Sequence, residues 1–334
     1  MENLIDVQNL KTHFFTDEGV IKAVDGVSFF IRKNEVLGIV GESGCGKSVL
    51  FRSILRIEQK PGKIIEGNIF FNKDDEVVDM AALEKDSAEL RAIQGKDISM
   101  IFQEPMVSLS PLYTVGYQIA EGLLEHTEMT KVQARERAIE MLRLVGLSKP
   151  EKNVDDYPHQ LSGGMRQRVM IAMALSMNPK LIIADEPTTA LDVTTQAQIL
   201  ELMSSMRSSI NGSIVYITHD LGVIAETTER VIVMYLGKIM EIADTRTLFD
   251  DPAHPYTKAL LKAVPGFGQR KGLNPLFNIK GMIPNPFERP RGCPFYPRCT
   301  EVDNKLPCES KLPETEEIST GHFVSCFRYQ GAAK

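Results

Sequence analysis

The residues best suited to chemistry stand in one short stretch, GESGCGKS, where Gly41, Gly46, Lys47 and Ser48 fit the pattern glycine, four residues, Gly-Lys-Ser. The apolar segment before it (35–40) predicts a buried strand, and the segment after it has helical spacing. Glycines let successive backbone N–H groups face phosphate oxygens at a helix N-terminus, whose dipole favours negative charge. The stretch therefore predicts a phosphate-binding loop, with Lys47 on the β- and γ-phosphates and Ser48 on Mg²⁺.

A cysteine lies inside this loop. Cys45 would be a redox-sensitive thiol if the helix N-terminus lowered its pKa, and otherwise a small residue that fills a variable position. Both interpretations stay open on the sequence alone.

Two acidic residues follow a second apolar run, LIIADE (181–186), which predicts a buried strand ending at the carboxyl edge of a sheet. In such a site Asp185 would hold Mg²⁺ through water, and Glu186 would stand beside the attacking water. Alone, two acids after a strand also fit a solvated strand end. Together with a phosphate loop they predict hydrolysis of a nucleotide.

The stretch LSGGMRQR (161–168) places a serine and two glycines at the start of a long helix, which is a second anion-binding terminus. With this stretch the chain resembles the ABC-type ATPases. The resemblance implies an α/β fold of the P-loop (RecA-like) class with a helical subdomain, and ATP and Mg²⁺ as ligands. Met165 stands where many members have glutamine, which leaves the backbone amides of the helix start unchanged.

The resemblance also implies residue roles. Phe14 would stack on adenine, with Phe15 as the alternative, and Asp192 matches the D-loop. The implied catalytic residues are Lys47, Gln103 of the Q-loop, Glu186 and the switch histidine His219. The implied magnesium ligands are Ser48, Gln103 and Asp185. The remaining implied nucleotide contacts are Ser43, Gly44, Cys45, Gly46, Val49, Ser162, Gly163 and Gly164.

The order of these patterns predicts the domains. Residues 1–235 form the nucleotide-binding domain, with a helical subdomain at roughly 104–165. That subdomain includes a clear amphipathic helix, TKVQARERAIEMLRLVGL, which Thr130 and Gln133 would begin with a capping box. The proline-rich residues 236–334 form what we call the C-terminal extension.

The C-terminal extension contains HPYTKALLKAVP (254–265) and IKGMIPNPFERPRGCPFYPRC, which resemble the same region in ATP-binding subunits of dipeptide and oligopeptide permeases. Nickel permeases are close relatives. The resemblance implies an importer ATPase with a second ATPase subunit (self or homologous), two membrane subunits and an extracytoplasmic peptide-binding protein. It places the chain peripherally on the cytoplasmic face of the inner membrane, where the surface around 104–116 would receive a short helix of a membrane subunit.

Four of the five cysteines lie in the C-terminal extension. Cys293, Cys299, Cys308 and Cys326 have the spacing C-x5-C-x8-C-x17-C, without the short pairs of zinc ribbons. Four thiolates suit either Zn²⁺ or an iron–sulfur cube. The resemblance implies a [4Fe-4S] cluster, with zinc as the alternative.

Composition limits the partners. The net charge of −6 disfavours nucleic acid, and the longest apolar run, VMIAMALSM, is about half of a membrane helix. The acidic N-terminus does not resemble a signal peptide, so the sequence predicts a cytosolic location. A soluble ABC ATPase of DNA repair or translation is a further alternative to a transporter subunit.

Overall fold

The computed structural model describes residues 2–73, 76–104, 108–189, 191–263 and 279–331. Its strands are β1 (Asn3–Thr16), β2 (Gly19–Arg32), β3 (Val36–Val40), β4 (Gly62–Lys73), β5 (Glu76–Asp79), β6 (Ile98–Ile101), β7 (Leu181–Asp185), β8 (Ser213–Ile217), β9 (Arg230–Tyr235), β10 (Lys238–Asp244), β11 (Glu316–Ser319) and β12 (His322–Val324).

The helices among these residues are α1 (Lys47–Ile54), α2 (Ala88–Ile93), α3 (Val115–His126), α4 (Lys131–Leu144), α5 (Pro150–Asn153), α6 (Gly163–Leu175), α7 (Val193–Ile210), α8 (Leu221–Thr227), α9 (Thr245–Asp250) and α10 (Pro255–Lys262). Short 3-10 turns span Pro158–Gln160 and Tyr296–Arg298. The chain divides into two compact units, one made of 1–2, 32–35 and 83–217, the other of 3–31, 36–82 and 218–334.

The first unit contains three parallel strands, in the order β6, β7, β8. Every residue of these strands is buried, which is why their sequences are continuous apolar runs and do not alternate. Parallel pairing brings the carboxyl ends of β6 and β7 to the same edge. Two residues predicted to act in catalysis follow those ends.

Helices α3, α4 and α6 pack against one another in the first unit. Thr130 begins α4 with the predicted capping box. The Thr130 side chain accepts from the backbone N–H of Gln133, and the Gln133 side chain accepts from the backbone N–H of Thr130. Buried residues of α4 (Ala134, Ala138, Met141 and Leu142) repeat at helical spacing. The predicted amphipathic helix is therefore present, and the bounds of the helical subdomain (104–165) stay a prediction.

The second unit has two sheets. One is antiparallel, in the order β2, β1, β4, β5. In the other, β3 pairs in parallel with β9, and β10, β12 and β11 continue in antiparallel pairing. This mixed α/β arrangement agrees with the predicted fold class.

The boundary predicted near residue 236 stays a prediction, although β9 and β10 pair across it. Within the described residues, no helix combines the length and apolar character required to cross a bilayer. Parts of the predicted segments, namely 105–107, Ala190, 264–278 and 332–334, lie outside the described residues.

Candidate functional site

The glycine-rich loop connects the buried strand β3 to α1, as the sequence predicts. Gly41 has φ 152°, and a Cβ there would lie 2.2 Å from the carbonyl oxygen of Met234. Gly46 precedes α1 at φ 103°, where a Cβ would lie 2.2 Å from the carbonyl oxygen of Ala23. Side chains are therefore excluded at both positions by backbone that approaches from neighbouring elements.

Lys47 is the first residue of α1, and its side chain turns back over the loop. Its Nζ donates to the carbonyl oxygens of Gly41 at 2.7 Å and Glu42 at 3.2 Å, and the residue is only 6% exposed. The ammonium group is thus held among the loop's own backbone, beside the exposed Ser43 and Gly44. Ser48 and Val49 follow on the first turn of α1 and are half-buried.

Cys45 is buried in the loop, and its carbonyl oxygen accepts from the N–H of Gly237 at 2.7 Å. Burial raises the pKa of its thiol, and the neighbouring Lys47 does not overcome this effect. The hypothesis of a redox-sensitive thiol requires a lowered pKa and is wrong. The structure agrees with the other interpretation, a small residue that fills the interior of the loop.

Phe14 and Phe15 lie on opposite faces of β1 because side chains alternate along a strand. Phe14 shares a face with Thr12, whose hydroxyl lies 2.8 Å from that of Ser53 in α1. Its ring packs on Gly62, at 3.0 Å from the position a Cβ would take there. Phe15 is 46% exposed on the other face. The helix that begins at the phosphate loop is therefore on the side of Phe14.

His219 follows Thr218, whose N–H donates to the carbonyl oxygen of Ile39 in β3 at 3.2 Å. This bond sets the histidine's backbone beside the end of β3, within the same unit as the phosphate loop. Its side chain is exposed, and the next residue, Asp220, caps α8 by accepting from the N–H of Gly222 at 2.8 Å. Phe14, the loop residues and His219 thus belong to one unit.

The other unit brings together Gln103 and Glu186, which are 83 positions apart. Gln103 follows β6 and Glu186 follows β7, and the Gln103 Nε2 donates to Glu186 Oε2 at 2.8 Å. Asp185, the last residue of β7, is 1% exposed. The pair confirms that the parallel strands deliver these polar groups to one edge.

Glu186 is held in an unusual backbone conformation, with φ 48°, which a non-glycine residue adopts only when its surroundings impose it. Its N–H donates to the carbonyl oxygen of Ile217 at 2.8 Å, and Thr189 Oγ1 donates to its Oε2 at 2.8 Å. The carboxylate therefore has a defined direction. Sequence reasoning misses Thr189, although its spacing three residues after Glu186 is a signal for such a contact.

Ser162 begins α6, and its hydroxyl accepts from the N–H of Met165 at 3.3 Å. Ser162 and Gly163 are exposed, and a Cβ at Gly164 would lie 3.6 Å from Thr195 of α7. Asp192 caps α7, and hydrogen bonds from Thr195 lower the pKa of its carboxyl group. The signature and D-loop residues are therefore close together.

Helix α6 also contacts the backbone next to Glu186. Gln167 is buried, and its side chain donates to the carbonyl oxygen of Pro187, the residue after Glu186, at 2.5 Å. The sequence does not indicate this bond, because the two residues belong to different motifs.

The four cysteines of the C-terminal extension line one cavity, together with His254 and Phe295 among others. Burial raises the pKa of Cys293 to about 12, and the other three thiols also have raised pKa values, with burial as the main cause. Within the described ranges, no set of three or more His, Cys, Asp or Glu side chains is close enough to hold a single metal ion.

One unit has a strand, a glycine-rich loop and a helix in succession. In the other unit, Gln103 follows β6 and the pair Asp185–Glu186 stands at the end of β7. This combination defines a P-loop nucleotide-binding protein. A family model described as "ABC transporter" matches residues 24–189. A second, described as "Oligopeptide/dipeptide transporter, C-terminal region", matches residues 240–308.

Relatives match over nearly the whole chain. The oligopeptide transport ATP-binding protein AppD of Bacillus subtilis is 49% identical, over 99% of this chain and 98% of its own length. The dipeptide transport ATP-binding protein DppD of Haemophilus influenzae is 48% identical, over 95% of this chain and 93% of its own. The chain therefore belongs to the ABC transporter ATP-binding proteins, in the group with the oligopeptide/dipeptide C-terminal region.

Solved structures agree with this assignment. A dimeric ATP-binding cassette in a post-hydrolysis state with ADP and Pi is 31% identical, with a TM-score of 0.64 over 72% of this chain and 99% of its own. The protein is thus an ATP-hydrolysing ABC ATPase with the cassette fold, and part of the chain lies outside that match.

Proposed function

We propose that this chain is the ATPase subunit of an importer of dipeptides or oligopeptides, bound to the cytoplasmic face of the membrane through its membrane subunits. The observation that carries the proposal is the near-complete match to ATP-binding proteins of peptide transport, including the C-terminal region. That region distinguishes a peptide importer from the soluble ABC ATPases. It also favours peptides over nickel, the other cargo that the sequence left open.

In this proposal Lys47 and the loop amides bind the phosphates, and adenine stacks on Phe14. Glu186 accepts a proton from the attacking water, and Gln103 and Thr189 direct its carboxylate by donating to Oε2. Ser48, Gln103 and Asp185 would hold Mg²⁺, which neutralises charge on the transferred phosphoryl group when it is bound.

Two chains, or this chain and a homologue, would close on ATP head to tail. One chain supplies the phosphate loop, and the start of α6 in the other, with Ser162, Gly163 and Gly164, covers the γ-phosphate. Asp192, which matches the D-loop, lies at the start of α7. A structural relative is itself described as dimeric. To change the ratio of closed to open dimers from 1:99 to 99:1, ATP must bind the closed state more favourably than the open state by about 5.5 kcal/mol.

The membrane subunit would dock on the first unit beside the Q-loop. A cavity of about 490 Å³ lies there, with an apolar lining that includes Met100, Phe102 and Met173. Leu112 is 78% exposed at the edge of the predicted 104–116 surface. A short amphipathic helix fits such a groove, because its apolar face replaces water on these side chains.

The transport proposal is tested with the complete complex. We expect the chain to purify with membrane subunits when these are coexpressed, and the reconstituted complex to accumulate a labelled dipeptide only with ATP and the extracytoplasmic binding protein. Leu112→Glu should separate the chain from the membrane subunits, whereas Val132→Glu, on the exposed side of α4, should not. Uptake of Ni²⁺ without peptide, or full ATPase activity with no membrane partner, would contradict the proposal.

We also propose that Cys293, Cys299, Cys308 and Cys326 hold a [4Fe-4S] cluster. All four line the same cavity, and a Cys₄ set is the usual ligand set for a cube. A single Zn²⁺ requires every sulfur within about 2.3 Å of one point, whereas a cube binds each cysteine through its own iron. Zinc stays the alternative, because the shared cavity by itself does not distinguish the two.

The cluster would give the C-terminal extension a structural support, since metal binding contributes directly to folding where the core is small. Metal analysis of anaerobically purified protein should find about four iron per chain and visible absorbance near 400 nm. Cys308→Ser should lose most of this iron, and Cys45→Ser, outside the cavity, should keep it. One zinc per chain in a colourless protein would show that the four cysteines bind Zn²⁺ and not an iron–sulfur cluster.

A further inference from the structure

The C-terminal extension contacts the phosphate loop through side chains at Glu42, in addition to the backbone bond from the Gly237 N–H to Cys45. Arg298 donates to both carboxylate oxygens of Glu42, from Nη1 at 2.6 Å and from Nη2 at 3.0 Å. The side chains are 4% and 21% exposed, respectively. A bidentate pair of this kind fixes orientation as well as charge, which an exposed ion pair does not.

A second residue of the extension holds the backbone of Glu42. The Glu42 N–H donates to the hydroxyl oxygen of Tyr256 at 2.9 Å, and Tyr256 is fully buried. Side chain and main chain of one loop residue are thus both bound by residues that come more than 200 positions later.

These two residues have rigid support. The ring of Tyr235 lies 4.7 Å from that of Tyr256 and 5.4 Å from that of Phe295, between ring centroids. Arg298 also donates to the Tyr235 hydroxyl at 3.2 Å. Such packed aromatic rings restrict both side chains to one position. Arg298 itself is held in the turn Tyr296–Arg298.

Glu42 in turn determines where the lysine of the loop lies. Its carbonyl oxygen and that of Gly41 accept from Lys47 Nζ, and its carbonyl oxygen also accepts from the N–H of Cys45 at 3.2 Å. A shift of Glu42 therefore moves the acceptors that direct the ammonium group. The path runs from Arg298 and Tyr256 through Glu42 to Lys47.

We propose that Arg298 and Tyr256 are positioning residues of the ATP site, and that the C-terminal extension holds the phosphate loop in its binding conformation through Glu42. The inference rests on the proposed role of the loop 41–48 as the phosphate site. A loop that is already ordered loses less conformational freedom when ATP binds, so the extension raises ATP affinity without touching the nucleotide.

The test measures ATP affinity by isothermal titration on the full-length chain carrying Glu186→Gln, so that ATP is not consumed. Arg298→Met should weaken ATP binding about tenfold, because it removes the ion pair with the Glu42 carboxylate. Tyr256→Phe should weaken it about threefold, because it removes the acceptor of the Glu42 N–H. Tyr329→Phe is the matched control, since its hydroxyl donates to Ala253 in the same extension at 3.1 Å and should leave affinity unchanged.

Two further measurements separate positioning from general damage. In the otherwise unaltered chain, Arg298→Met should raise KM for ATP while kcat at saturating ATP stays within about twofold. Glu42→Gln combined with Arg298→Met should bind ATP no more weakly than the worse single variant, because both act through one contact. Hydrogen exchange at the loop amides should be faster in Arg298→Met than in Tyr329→Phe.

Unchanged ATP affinity in both Arg298→Met and Tyr256→Phe would overturn the inference, as would additive effects in the double variant. If Arg298→Met does not fold, Tyr256→Phe against Tyr329→Phe decides the question. ATP binding that is insensitive to Lys47→Ala would instead show that the proposed phosphate site is wrong. Failure of the inference is therefore distinguishable from failure of the site.

Discussion

Replacement of Glu186 by glutamine is expected to slow ATP turnover by roughly 10²–10⁴, the usual contribution of general acid–base catalysis. The substitution preserves size and removes the carboxylate that we propose accepts the proton from water. Thr189 can still donate to the amide oxygen, so the side chain keeps its direction. ATP binding and dimer closure should persist, because neither needs a base.

The measurement is steady-state ATPase of the purified chain, with size-exclusion chromatography in saturating ATP to follow closure. Glu201→Gln is the control, since it makes the same change of charge at an exposed position of α7 in the same unit. Near-normal turnover in Glu186→Gln would refute the role assigned to this carboxylate. A trapped variant that remains monomeric in saturating ATP, even with its natural partner subunits, would refute the head-to-tail arrangement.

Replacement of Lys47 by alanine should abolish detectable ATP binding, with a loss in affinity of roughly 100-fold or more, about 2.7 kcal/mol. In the proposed site the ammonium group of Lys47 supplies the positive charge that binds the phosphates. Without Lys47, the carbonyl oxygens of Gly41 and Glu42 lose their hydrogen-bond donor. Their partial negative charges would then be left uncompensated in the loop, which disfavours an anion there.

Isothermal titration with ATP measures this effect, and a thermal unfolding scan confirms that the variant is folded, because Lys47 is buried. Lys63→Ala, at an exposed position of β4 in the same unit, removes a lysine without reaching the loop. An ATP affinity equal to that of the unaltered chain would show that the phosphates bind elsewhere.

Lys47→Ala tests the binding of ATP, and Glu186→Gln tests its hydrolysis. Lys47 belongs to the unit with the phosphate loop, and Glu186 to the unit with the Q-loop and signature. A chain with Glu186→Gln should therefore bind ATP without using it, whereas one with Lys47→Ala should do neither.

Much of the fold and most site residues are predictable from sequence. The apolar run before the loop becomes the buried strand β3, LIIAD becomes β7, and Thr130 and Gln133 form the capping box that begins α4. The glycines at 41 and 46 occupy positions where a Cβ has no room. The strands and the capping box depend on residues a few positions apart, so spacing alone predicts them. The two glycines are visible as a motif, but the backbone that excludes a Cβ there comes from Met234 and Ala23, which are distant in sequence.

Other features depend on contacts between distant parts of the chain. The hydrogen bond between Gln103 and Glu186 follows from the pairing of β6 with β7. The ion pair between Arg298 and Glu42 joins residues that are 256 positions apart. Cys45 shows the same limit: its place near a helix start is visible in sequence, but its burial, which raises the pKa of the thiol, is not.

The amino-acid sequence by itself thus determined the motifs, the local elements and the class of chemistry, because short-range spacing sets hydrogen bonding and hydrophobic periodicity. Only the tertiary structure decided which distant groups meet, how Glu186 is directed, and that Arg298 and Tyr256 of the C-terminal extension bind Glu42. The physical reason is that such contacts come from the packing of whole sheets and helices, and no local pattern encodes the partner of a residue hundreds of positions away.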